Sequence, residues 1–140
     1  MEWFFRDKLF TSEMIEEYQG FIYEITDIST GMKYIGKKNF WSKKTLPPLK
    51  GKKRKRRSII ESDWKKYHGS SELVKQLLIE HGEDNFKREI LRLCSTKGEM
   101  SYFETKTQLV LDVLLKPDEY YNSYVGARIH RNHVKHLTKK

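Results

Sequence analysis

With cysteine present only once, at Cys94, the 140-residue chain can form no internal disulfide and no zinc site built mainly from thiolates. That usage suits a reducing cytoplasm. Long apolar runs are missing as well. None approaches the ~20 residues that a bilayer-spanning helix needs, so no membrane partner is expected. The opening Met1-Glu2-Trp3-Phe4-Phe5-Arg6-Asp7 has an early acid and no apolar stretch behind a basic start, unlike a secretory leader. Acids are missing locally. None lies between Ile28 and Ile60, where there are twelve Lys or Arg, and none from Tyr120 onward, where there are five more. The rest of the chain holds 11 basic and 19 acidic residues, so a net +9 molecule consists of two basic stretches on an acidic body. That distribution is the footprint of a polyanion partner, nucleic acid above all. No internal repeat is visible, and the length suits one domain over 1–140, with a basic insert at about 45–60 and a basic tail at about 126–140.

What is present is most specific near residue 30. Phe21-Ile22-Tyr23-Glu24-Ile25 and Lys33-Tyr34-Ile35 are rich in β-branched and aromatic residues, and Asp27-Ile28-Ser29-Thr30-Gly31-Met32 between them is turn chemistry. The pattern predicts a hairpin that presents Tyr23 and Tyr34 from neighbouring strands. Thr11-Ser12-Glu13 opens a short helical stretch to about Tyr18. Lys37 to Lys44 could begin a helix, stopped by Leu46-Pro47-Pro48. Seven of the eight residues from Lys50 to Arg57 are basic, and self-repulsion should leave them disordered until phosphate is bound. Ser70-Ser71-Glu72 caps a helix with Leu73, Val74, Leu77 and Leu78 as its apolar stripe and Gly82 at its end. Phe86 to Cys94 is a third strand. Thr96-Lys97-Gly98-Glu99 fits a capping box and starts the longest helix, which ends before Pro117.

Gly20-Phe21-Ile22-Tyr23 and Tyr34-Ile35-Gly36, followed by a basic cluster, a helix, a strand, Glu104 and Asn122 in that order, resemble the GIY-YIG nuclease signature over about a hundred residues. The resemblance implies an α+β fold with a three-stranded, mainly antiparallel sheet flanked by helices. It implies a metal-dependent DNA endonuclease that uses activated water. Glu104 would be the metal ligand for Mg²⁺ or Mn²⁺, because one hard carboxylate with water and phosphate oxygens is enough for Mg²⁺. Tyr23 would serve as general base or water positioner. A phenol with an ordinary pKa near ~10 would need that value lowered by about three units, on the order of 4 kcal/mol. Tyr34 would orient water or phosphate, and Asn122 would brace the catalytic tyrosine or the metal shell.

The family arginine falls at Lys44 here, and lysine lacks the bidentate fork of guanidinium; Arg54, Arg56 or Arg57 could take over that role. Tyr67 and His68 are the local choices for a second helper, His68 as a proton shuttle. Lys37, Lys38, Lys43, Lys52, Lys53, Arg54, Lys55, Arg56, Arg57, Arg128 and Arg131 are the expected DNA-binding cations. His130, His133 and His136 recur every third residue, too widely fanned on a helix for one zinc ion, and read as part of a DNA-contacting tail. The expected partner is duplex DNA, bound by a monomer or homodimer in the cytoplasm, that of a host cell if the gene is phage-borne. Two other classes stay open: a catalytically inactive nucleic-acid-binding module on the same fold, and an RNA-associated protein whose tyrosines are structural.

Overall fold

A computed structural model describes residues 2–126 and 128–137. Strands β1 (Trp3–Phe5), β2 (Lys8–Leu9), β3 (Gly20–Asp27) and β4 (Lys33–Asn39) come first. Strands β5 (Trp41–Leu46) and β6 (Arg56–Glu61), helix α1 (Glu72–His81), strand β7 (Phe86–Cys94) and helices α2 (Lys97–Val110) and α3 (Arg131–Val134) complete the order. The main sheet runs β2-β1-β7-β3-β4, and β5 with β6 makes a separate two-stranded ribbon. The expected trio is its centre: β3 pairs antiparallel with β4 on one side and with β7 on the other. Two strands beyond that trio come from the N-terminus, where β1 lies parallel to β7 and turns back into β2. The pairing is mainly antiparallel.

Alternation along β3 sends side chains to both faces, and both faces are covered. Phe21, Tyr23 and Ile25 join Trp3, Phe40, Trp64, Val74 and Ile90 in one core layer. Ile22 and Ile35 join Cys94, Met100 and Val113 in the other, beneath α2. The helix signals work as expected. Ser71 accepts from the Val74 N–H at 3.3 Å, Gly82 at φ 82° ends α1, and Thr96 accepts from the Glu99 N–H at 3.0 Å. The stretch after Thr11 is shorter than expected, a single 3₁₀ turn over Ser12–Met14.

Residues 37–44 are not helical. Lys37, Lys38 and Asn39 continue the ladder opposite Ile22, Phe21 and Gly20, and Trp41–Leu46 pairs residue for residue with Arg56–Glu61. Fully buried Phe40 fixes the corner: its N–H donates to the Gln19 carbonyl at 2.9 Å and its carbonyl accepts from Ser62 N–H at 2.7 Å. Six cross-strand pairs outweigh a weak local helix preference. Of the basic stretch from Lys50 to Arg57, that pairing takes in only the last two residues. Arg56 and Arg57 are strand residues pointing to opposite faces, so their repulsion is shared between two solvated surfaces.

Candidate active site

The two motif glycines are dictated by close approach. Gly36 lies opposite Tyr23 in the ladder, and a Cβ there would collide with the Tyr23 hydroxyl. At Gly20 a Cβ would fall 2.6 Å from the Met100 sulfur, so glycine lets α2 settle on the sheet. Tyr23 therefore lies flat over Gly36, beside Tyr34 with ring centroids 6.3 Å apart and edge-on to Tyr67 at 5.8 Å.

Tyr34, Lys37, Ser70, Glu104 and Asn122 line one cleft of about 640 Å³, between the N-terminal end of α1, the free edge of β4, α2 and residues 121–126. Sequence positions 88 residues apart thus meet. A polar stripe of α2 runs along the β4 edge at helical spacing. Lys37 Nζ donates to Ser101 Oγ at 2.9 Å, the Lys37 backbone N–H donates to the Glu104 carboxylate, and Gln108 Nε2 donates to the Ile35 carbonyl at 2.9 Å. Asn122, buried, acts as a surrogate strand residue. Its Oδ1 accepts from Ile35 N–H at 3.0 Å and its Nδ2 donates to the Ile35 carbonyl at 2.8 Å. Further along, Lys33 N–H donates to the Glu119 carbonyl, and its carbonyl accepts from Tyr121 N–H. An edge strand with its outward groups engaged this way is fixed in register and closed to further pairing. Asn122 braces the backbone between Tyr34 and Gly36 rather than a tyrosine hydroxyl.

Burial pushes the Glu104 carboxyl above its ordinary range, opposed by the Lys37 charge and N–H. The expectation for Tyr23 is corrected in sign. Desolvation, with the Tyr67 and Tyr34 phenols and Glu104 adding to it, pushes its pKa well up. The side chain is 1% exposed, so the phenolate would lose its hydration. Burial also raises Tyr34, against a hydrogen bond with Ser70 Oγ at 3.1 Å. Both phenols rest protonated at neutral pH.

The remaining expected residues divide. Lys44 stands exposed on β5, opposite Ser58, and does not line the cleft; Lys37 is the cation that does. Lys38, on the other face of β4, is held by Asp63 at 2.6 Å and lies 4.3 Å from the Tyr67 ring centre. His68 is buried away from the cleft. Its Nδ1 is 2.9 Å from the Lys66 carbonyl, and burial together with the Arg88 charge lowers its pKa. Tyr67, not His68, reaches the tyrosine pair, and it hydrogen-bonds the Tyr23 hydroxyl. Arg88, buried on β7, holds that segment by donating to the Tyr67 carbonyl at 2.8 Å. Nothing in the spacing of Arg88 announced this; only the β7–β3 pairing brings it there.

Lys43, Lys52, Lys53, Arg54, Lys55, Arg56 and Arg57 are exposed on the ribbon and its turn. Arg128 and Arg131 are exposed too, but the tail around them folds back on α2. His136 Nε2 sits 2.9 Å from Glu99 Oε2, and His133 packs on Gly98, so these histidines serve an intramolecular contact. Lys139 and Lys140 lie outside the described residues. Among the described residues no group of three or more His, Cys, Asp or Glu could enclose a metal. The fit to a divalent cation is of another kind. Glu104 offers one half-buried hard oxygen donor to a roomy polar cleft, which suits an ion that keeps most of its shell as water and phosphate.

The chain belongs to the GIY-YIG endonuclease family. The profile described as "Putative endonuclease segE, GIY-YIG domain" matches residues 3–125. The protein named putative endonuclease segE, of Enterobacteria phage T4, is 30% identical over 107 residues, which are 76% of this chain and 42% of that relative. The chain therefore matches less than half the length of that protein. No solved structure matches it. Nucleases of this family are generally dependent on a divalent metal. No helix among the described residues is long and apolar enough to cross a membrane.

Proposed function

We propose that the chain is a DNA endonuclease that seats the scissile phosphate in the cleft between Tyr34, Lys37, Glu104 and Asn122. The convergence of those four side chains on one cleft carries the reading. Tyr34 donates to the phosphate or to the attacking water from one wall. Lys37 supplies positive charge from the other, in the place given to Lys44 by spacing. Tyr23, as a protonated phenol, and Tyr67 hold Tyr34 from behind. Asn122 keeps the β4 edge, and with it Tyr34 and Lys37, in register. Glu104 would hold Mg²⁺ or Mn²⁺, which when bound supplies charge to the non-bridging oxygens and makes neighbouring water more acidic. The raised pKa of Glu104 means that its carboxylate forms at higher pH than an ordinary one, so metal binding should follow that deprotonation.

The exposed cations of the ribbon turn, Lys52, Lys53, Arg54 and Lys55, grip the backbone of duplex DNA, giving affinity that falls with salt. A phage relative fits action in a host-cell cytoplasm. A fold kept for binding alone has no use for a desolvated carboxylate facing a tyrosine across a cleft, which favours catalysis over the inactive module. Supercoiled plasmid incubated with Mg²⁺ should be cut by the wild-type protein. Glu104→Ala should reduce the rate by at least about 100-fold, as loss of one electrostatic element does, while gel-shift affinity without metal is retained. Cleavage by Glu104→Ala at the wild-type rate would end the proposal.

A further inference from the structure

The ribbon holds more than positive charge. Its register sets Lys43 opposite Ile59 and Thr45 opposite Arg57, and residues opposite each other share a face. All four are exposed, Ile59 by 69%. Thr45 and Arg57, with Arg54 and Lys55 of the turn, line a concavity that contains no acid. Among the described residues no carboxylate pairs with Lys43, Arg54, Lys55 or Arg57. The opposite face is partly engaged, with Lys44 and Ile60 exposed on it as well. Arg56 donates to the Pro47 carbonyl at 3.3 Å, and Leu46 and Ser58 are half-buried. A surface that only grips phosphate gains nothing from an isoleucine standing among cations.

We propose that the β5–β6 ribbon enters the major groove of duplex DNA and reads base edges with the face of Lys43, Thr45, Arg57 and Ile59. The inference rests on the endonuclease reading and adds a source of sequence preference to it. Two strands about 4.8 Å apart, with their side chains, form a ribbon roughly 10 Å across. That fits a major groove about 12 Å wide and exceeds a minor groove of about 6 Å. Strands of six residues extend about 20 Å, enough to follow several base pairs. The Arg57 fork matches O6 and N7 of guanine, and the methyl groups of Thr45 and Ile59 match the 5-methyl of thymine. The charge of the turn keeps the ribbon seated between the two phosphate rows.

The test binds the full chain, without divalent ions, to duplexes carrying a randomised core and compares the retained sequences for wild type, Arg57→Ala and Ile59→Ala. Exposed positions should leave the melting temperature unchanged, and plasmid nicking reports a working cleft. Wild type should retain a preferred sequence. Arg57→Ala should relax one G·C position by about 5- to 100-fold, the value of one bidentate base contact. Replacing thymines of the preferred site with uracil one at a time should, at one position, weaken wild type about 3- to 4-fold, the value of one buried methyl, and leave Ile59→Ala unaffected. If Arg57→Ala instead weakens every sequence alike and flattens the salt dependence, Arg57 touches phosphate and the inference is overturned. It is also overturned, alone, if wild type nicks plasmid yet selects no sequence. If wild type neither binds nor nicks duplex DNA, the endonuclease reading falls first and takes this one with it.

Discussion

Removing the Asn122 amide should test the site through its scaffold. Asn122→Ala strips Ile35 of the acceptor for its N–H, while the Ile35 carbonyl keeps the Gln108 amide at 2.9 Å. A buried N–H left without a partner costs about 1–3 kcal/mol, so roughly 2 kcal/mol is expected here. For a domain of this size that is a fall of about 7 °C in Tm. Gln108→Ala makes the opposite cut. Ile35 then keeps both bonds to Asn122, and the loss should stay below about 1 kcal/mol, one neutral hydrogen bond. Activity should separate the two variants further. Ile35 stands between Tyr34 and Lys37, so slackening the β4 edge displaces both walls of the cleft, and a shift of about 1 Å can cost 100-fold in rate. Calorimetric melting and plasmid nicking well below Tm are the assays. Variants that melt within about 1 °C of each other on that scale, or full nicking activity in Asn122→Ala, would refute the bracing role.

Three further outcomes follow from neighbouring residues. Burial opposes ionisation of Asp27, but hydrogen bonds from Tyr121, Ser29 and Asn85 outweigh it and hold the pKa at about 2, below the ordinary 3.8. A carboxyl depressed in the folded state stabilises fully above pH 3.8 and loses that contribution as pH falls toward 2. Removing the Tyr121 donor, 2.7 Å from Asp27 Oδ2, in Tyr121→Phe should thus lower stability by about 1–2 kcal/mol at neutral pH. The wild-type advantage should shrink below pH 4, and an equal difference at both pH values in denaturant titrations would contradict it. Gly36→Ala forces its methyl onto the Tyr23 hydroxyl and should cost about 1–3 kcal/mol by overpacking; unchanged melting would show that Tyr23 does not lie over that glycine. Burial pushes the Cys94 thiol up to about 12, and the residue is fully enclosed, so iodoacetamide should label it only in denaturant.

The sequence by itself determined the parts with local causes. The Tyr23–Tyr34 hairpin follows from strand residues around a Ser-Thr-Gly turn, α1 and α2 from their Ser71 and Thr96 caps, and β7 from its apolar run. Glu104 and Asn122 were legible because the order of motif residues along the chain is itself a pattern. What only the tertiary structure decided depends on pairing across long separations. The Trp41–Leu46 stretch has no strong preference of its own, and β6 makes it a strand. Alternation along β4 sends Lys37 to the cleft and Lys38 to Asp63, a division that their adjacency in sequence hides. The family resemblance implies a base or water positioner at Tyr23, but its pKa is set by desolvation, and burial is a property of the packed chain rather than of the residues beside it.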